Sequence, residues 1–154
     1  MDVNIKPLEE CHLEDIIVVE ENSFSTPWSI DAFRGELTNE LAHYWVAEID
    51  SKVVGYFGIW YIFNEGHITN VAVHSDYRGY GIGKKLLDYD LKQAVGNGIN
   101  AITLEVIPSN KVAIEMYTKF GFEAVGKRKD YYTKPVEDGF VFWLELKEDK
   151  ERNA

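Results

Sequence analysis

Apolar and polar residues recur along this chain with periods that change from segment to segment. Val3 and Ile5 alternate with polar neighbours, which predicts a short strand ended by Pro7. Leu13, Ile16 and Ile17 recur at helical spacing opposite the wet pair Glu20-Glu21. Ser25-Thr26-Pro27-Trp28-Ser29 breaks that helix, and Ser29 is placed to cap a second one carrying Ile30, Phe33 and Leu37. Ala42 to Ile49 and Lys52 to Phe63 read as strands flanking the two-residue turn Asp50-Ser51, hence a hairpin. A turn at Asn64-Glu65-Gly66 leads into a further strand, His67 to Val73. A glycine-rich loop then opens a helix from about Gly81 to Val95, which Gly96-Asn97-Gly98 ends. A strand over Ala101 to Val106, a helix over Asn110 to Phe120 and two strands, about Phe122 to Lys129 and Gly139 to Leu146, complete the pattern. The order β-α-α-β-β-β-α-β-α-β-β predicts an α/β protein with a mixed sheet and helices on both faces. Residues 1–146 are expected to form one domain, with 147–154 a polar tail.

Composition narrows the class. The chain has 154 residues, 45% of them apolar, enough for a packed core and too many for a disordered segment. Net charge is −10, from 26 acidic against 16 basic residues, so a nucleic-acid backbone would be repelled over most of the surface. The same charge is compatible with a cationic acceptor, although by composition alone solubility is the simpler account of it. The longest near-apolar run, Val53 to Phe63, is too short to cross a bilayer as a helix. The acidic start MDVNIKPLEECHLEDI lacks the features of a secretory signal, and Cys11 stands alone. Together these features predict a cytoplasmic protein that works without a metal and without binding a membrane.

The first chemically informative segment is Arg78-Gly79-Tyr80-Gly81-Ile82-Gly83-Lys84, between a strand and a helix. Glycines at a helix start leave backbone N–H groups unobstructed where the helix dipole favours an anion, so the loop suits a phosphate. The dinucleotide pattern G-x-G-x-x-G fails, because Lys84 stands where the third glycine belongs. The nucleotide-triphosphate pattern fails as well, because Lys85 occupies the place of its hydroxyl residue. A plain strand-to-helix turn would need fewer glycines and no flanking cations.

Two further candidates come from position. Ile102, Leu104 and Val106 share one face of their strand, which puts Thr103 and Glu105 on the other, at the strand's end. There Glu105 is either a solvated strand carboxylate or a general base. Tyr117 lies in the stripe Val112, Ala113, Met116, Tyr117 and Phe120, the spacing of a core face; its phenol is also a proton donor at neutral pH. His67 and His74 read as ordinary strand and loop residues, since no partner spacing marks a relay or a metal site.

Arg78-x-x-Gly81-x-Gly83, after the strand Asn70-Val71-Ala72-Val73, resembles the Q/R-x-x-G-x-G/A signature of the GNAT acetyltransferases. Ser109-Asn110-x-x-Ala113-x-x-x-Tyr117-x-x-x-Gly121-Phe122 resembles that family's second landmark. Pro27-Trp28, Leu104-Glu105-Val106, Arg128-x-x-Tyr131-Tyr132 and Glu137-Asp138 are similar to the RimI branch, the ribosomal-protein-alanine N-acetyltransferases, over Pro27 to Leu146. One position departs: Ile107 stands where RimI-like sequences commonly have arginine.

The resemblance implies acetyl-CoA as the acetyl donor. Its pyrophosphate would lie on the backbone of Arg78, Gly79, Tyr80, Gly81, Ile82, Gly83 and Lys84, and its pantetheine arm near Asn110. It implies Glu105 as base, Tyr117 as acid, and backbone N–H groups of Val71, Ala72 and Val73 as oxyanion donors, freed by a bulge or splay. Trp28, Tyr131, Tyr132, Glu137 and Asp138 would meet the acceptor, the basic N-terminus of a small-subunit ribosomal protein that starts with alanine. Trp28 and the tyrosines serve equally well as packing between helix and sheet. Two other functions stay open: acetylation of a small amine or a lysine side chain, and non-catalytic sensing of acyl-CoA.

Overall fold

In the computed structural model the described residues are 2–133 and 136–146, with the side chains of 127–138 outside the description. The predicted tail, 147–154, lies outside the described residues. The elements are β1 (Asn4–Pro7), α1 (Leu13–Ser23), α2 (Ile30–Glu36), β2 (Ala42–Ile49), β3 (Lys52–Ile62) and β4 (Glu65–Val73). They continue as α3 (Ile82–Gly96), β5 (Ala101–Val106), α4 (Lys111–Lys119), β6 (Glu123–Thr133) and β7 (Val136–Glu145), in the expected order.

Local chemistry sets the boundaries. The Ser29 hydroxyl accepts the N–H of Ala32 at 3.1 Å and starts α2. Asp50 and Ser51 both have positive φ, 50° and 64°, the turn whose twist matches a right-twisted hairpin. The pairing Ile62↔Glu65 leaves only Phe63-Asn64 in the next turn, so β4 begins two residues before the predicted His67. The β6–β7 hairpin also outruns its expected ends, because pairing continues through Tyr132↔Glu137 and Thr133↔Val136. Tyr131, Tyr132 and Thr133 are strand-forming residues, and that preference extends the ladder.

All seven strands form one sheet in the order β1-β2-β3-β4-β5-β7-β6. Among the described residues only β4 and β5 are parallel, joined by the crossover that contains α3. Side chains alternate between two cores. One face carries α1 and α2, with Leu13, Ile16, Phe33, Val46 and Tyr56 buried together. The other carries α3 and α4, with Phe57, Ile59, Leu86, Leu87, Ile102 and Tyr117. β3 is an inner strand and is buried on both faces from Val53 to Ile59, which is why it reads as an apolar run rather than an alternation.

Three carboxyls, Glu20, Glu48 and Asp90, are buried in this framework, and two of them tie elements together. Glu20 accepts the Tyr56 hydroxyl and, at 2.9 Å, the backbone N–H of Trp28, and so ties the α1–α2 loop to β3. Asp90, on α3, accepts the Trp45 indole N–H at 2.9 Å. Burial pushes its carboxyl up to about 7, against the smaller opposing effect of that hydrogen bond.

Candidate active site

β4 and β5 share a short ladder and then part. Glu65↔Ala101, Gly66↔Ile102 and His67↔Thr103 are paired, after which β4 continues to Val73 along β3 and β5 to Val106 along β7. Beyond His67 the β5-facing edge of β4 has no strand beside it, so its backbone groups face a cleft. A bulge adds to the opening: Gly58 pairs with Asn70 and Ile59 with Ile68, leaving Thr69 as the extra residue. The cleft encloses about 1010 Å³, and its walls include residues 68–73, the glycine loop, residues 104–107 and α4.

The glycine loop is built as the spacing suggests. Gly81 is the residue before α3 and has φ 78°, a left-handed conformation that an L side chain resists. A Cβ there would meet nothing within 4 Å, so glycine is required by the backbone and not by crowding. The Arg78 guanidinium donates from Nε to the Val73 carbonyl at 2.9 Å and from Nη2 to the Ser23 hydroxyl at 3.4 Å, fastening the loop to β4 and α1. Val71, Ala72, Val73, Arg78, Gly79, Gly81, Ile82, Gly83 and Lys84 all line the cleft. Tyr80 does not, and is 61% exposed. Open glycines, the first N–H groups of a fifteen-residue helix and the flanking cations suit an anionic diphosphate.

Glu105 and Tyr117 both reach the same cleft. Glu105 ends the polar face of β5 with its side chain 10% exposed, which excludes the solvated-carboxylate alternative. Tyr117 is buried, packs edge-on against Phe122 at 5.4 Å and still contributes to the cleft wall. The core and donor readings of Tyr117 are therefore compatible. Asn110 lines the cleft too, and its side chain accepts the Ala113 N–H at 3.2 Å as the cap of α4.

His67 is more than an ordinary strand residue. Its Nε2 lies 3.3 Å from Glu105 Oε2, and it lines the cleft. Sequence spacing gave no sign of this because the pair depends on the parallel register His67↔Thr103, which is set across the crossover of residues 74–100. Glu9, Cys11 and His12 form a second cluster away from the cleft, with their ligand-type atoms within 4.8 Å of one another. His12 is engaged there already, accepting the Glu9 N–H through Nδ1 at 2.9 Å and facing Glu48 through Nε2 at 3.5 Å.

A polar network supports the bulge from behind. The Tyr44 hydroxyl is 2.9 Å from Thr69 Oγ1 and donates to Asn70 Oδ1 at 2.8 Å, and Thr69 also donates to Asn70 at 3.0 Å. Trp28 sits elsewhere. It packs on Phe33 at 5.3 Å and borders a separate depression with Glu14, Ile17, Glu21 and Pro27, while Ser23 to Thr26 reach the main cleft. The geometry thus supports packing for Trp28. The side chains of Tyr131, Tyr132, Glu137 and Asp138 lie outside the described residues; their backbone lies in the β6–β7 hairpin.

The sequence model of the Acetyltransferase (GNAT) family matches residues 9–122. The chain belongs to the GNAT acetyltransferase family. It is an acetyl-CoA-dependent N-acetyltransferase. Among the relatives of this GNAT enzyme is a Bacillus subtilis protein provisionally named a [ribosomal protein bS18]-alanine N-acetyltransferase. That protein is 36% identical over 137 residues, covering 88% of this chain and 91% of its own. The Haemophilus influenzae [ribosomal protein bS18]-alanine N-acetyltransferase is 29% identical over 131 residues, 85% of this chain and 88% of that one. The crystal structure of the ribosomal-protein-S18-alanine N-acetyltransferase from Escherichia coli superposes with a TM-score of 0.88. The two chains are 26% identical, and 94% of each is covered. No helix among the described residues of this GNAT enzyme is long and apolar enough to cross a membrane.

Proposed function

We propose that this enzyme acetylates the α-amine of an N-terminal alanine on a small-subunit ribosomal protein, by direct attack of the amine on acetyl-CoA. The observation that carries the reading is the meeting of Glu105, Tyr117 and the glycine loop in one cleft, where β4 and β5 part. The names of the relatives support the acceptor. An α-amine is mostly protonated at neutral pH and must lose a proton before it attacks. Glu105 takes that proton, directly or through a water. Backbone N–H groups of β4 around Val71 to Val73 face the thioester oxygen as negative charge builds on it. Tyr117 protonates the departing thiolate. The C–N bond forms as the C–S bond breaks, with no covalent enzyme intermediate, and Cys11 lies away from the cleft lining.

Cofactor contacts are assigned to Arg78 through Lys84 and Asn110, and the acceptor to the cleft beside Ser23–Thr26, with Tyr131, Tyr132, Glu137 and Asp138 assigned to it by the resemblance alone. Transfer to a small amine or a lysine side chain is favoured by one feature. Ile107 lines the cleft where RimI-like sequences commonly carry arginine.

The test uses two peptides of one basic sequence, one with a free N-terminal alanine and one with that amine blocked and its lysines intact. Acetyl transfer is read by mass. Transfer to the free N-terminus alone is expected. Transfer to the blocked peptide at a similar rate would replace the reading with a general amine acetyltransferase.

A further inference from the structure

His67 and Glu105 stand on adjacent strands where the sheet opens, with Nε2 3.3 Å from Oε2. Their surroundings differ in a way that matters for a base. The Glu105 side chain is 10% exposed and that of His67 is 37% exposed. Across the ladders, β3 sets Trp60 beside His67, β5 sets Thr103 beside it, and β7 sets Val141 beside Glu105. None of these titrates in the working range, so within these registers Glu105 is the acid that His67 meets.

Proton accounting then raises a question about the exit. An ammonium and a thioester yield an amide, a thiol and one net proton. The thiolate receives a proton from Tyr117, and the second proton of the attacking amine replaces it. The first proton, taken by Glu105, must leave a mostly buried carboxyl before the next turnover.

We propose that His67 conducts this proton from Glu105 to solvent. Neutral imidazole holds one proton, and which nitrogen carries it follows from the partners. With Nδ1 protonated, Nε2 accepts the proton from the Glu105 carboxyl while the Nδ1 proton passes to water, and tautomer exchange resets the ring. Every proton is conserved, and no electron pair leaves the dyad. Since His67 acts through Glu105, it is a positioning and relay residue for the base. The inference rests on Glu105 being that base.

The experiment is chemical rescue of His67→Ala in the full chain. The variant is expected to bind acetyl-CoA as the parent does by calorimetry and to lose about 10- to 100-fold in kcat. Added imidazole is expected to restore turnover, with substituted imidazoles ordered by basicity, and to leave the parent enzyme unaffected. His67→Gln, which keeps volume and an N–H donor, is expected to remain slow. Two outcomes overturn the relay: His67→Ala with parental kcat, or full activity in His67→Gln, which would reduce His67 to a prop for Glu105. The base reading fails separately, by parental turnover in Glu105→Gln.

Discussion

β4 makes two junctions with very different consequences. Toward β3 it is paired from Glu65↔Ile62 to Val73↔Gly55, interrupted only at Thr69; toward β5 it is paired from Glu65 to His67 and then departs. The first junction belongs to a closed half, β1 to β4, in which side chains fill two cores and ladder hydrogen bonds run almost unbroken. The second gives up ladder hydrogen bonds, each worth about 0.5–1.5 kcal/mol net, and leaves backbone groups facing the cleft. Substitutions in the closed half should therefore read out as stability, and those at the open junction as turnover.

Glu105→Gln should give the largest effect. Gln keeps the size of the side chain and cannot accept the amine proton, so kcat should fall about 10²–10³-fold, or ~3–4 kcal/mol in barrier. The melting temperature should stay near that of the parent. Steady-state kinetics with a parallel thermal melt checks both. A lower melting temperature with turnover intact would invert the comparison.

Asp90→Asn probes the closed half. The Asp90 carboxyl rises from 3.8 unfolded to about 7 folded. Between those values the folded state holds a proton that the unfolded state has released, so stability falls as pH rises through that window. Above pH 7 both states are ionised and the full burial cost is present. Asn stays neutral and still accepts the Trp45 N–H. The variant should be more stable than the parent at pH 8, by on the order of 3 kcal/mol, with the gain vanishing toward pH 4. Denaturant titrations at the two pH values check it; a gain of equal size at both would show that ionisation is not its source.

The same division decides what was legible beforehand. The order of elements and the glycine loop follow from periods and breakers that act within a few residues, and the structure matches them. Glu105 could be placed on the polar face of its strand by alternation alone. The His67–Glu105 contact could not, because it depends on the register of two strands brought side by side only after α3 has packed. Trp28 shows another limit: the resemblance implied the acceptor and the residue type allowed packing, and its contact with Phe33 beside a separate depression could not be read from sequence. The hairpin ends were missed because strand preference at residues 131–133 outweighed the charged residues just before them.

Gly58→Ala tests where the closed half touches the open one. A Cβ there would lie 2.3 Å from the Tyr44 ring and 2.8 Å from Asn70 Oδ1, too close for either to stay in place. The expected cost is about 2 kcal/mol of stability, as for overpacking in a core. Because Tyr44 also holds Thr69 and Asn70 at the bulge, kcat should fall along with the melting temperature, while acetyl-CoA binding changes less. Unchanged kcat in a destabilised variant would show that the bulge does not depend on Tyr44.

Asn110→Ala should have the smallest effect and discriminates most finely. As the cap of α4, Asn110 satisfies the Ala113 N–H, and its loss should cost about 1 kcal/mol of stability. As a cleft residue it is also assigned to the acetyl-CoA arm, so the KM for acetyl-CoA should rise several-fold with little change in kcat. Asn110→Asp separates the roles, because aspartate is an equally good cap and cannot donate a hydrogen bond. Restored stability with an elevated KM is the expected result for Asn110→Asp. Restoration of both would confine Asn110 to holding α4 in place, and the open junction would then contact the donor through the glycine loop and β4.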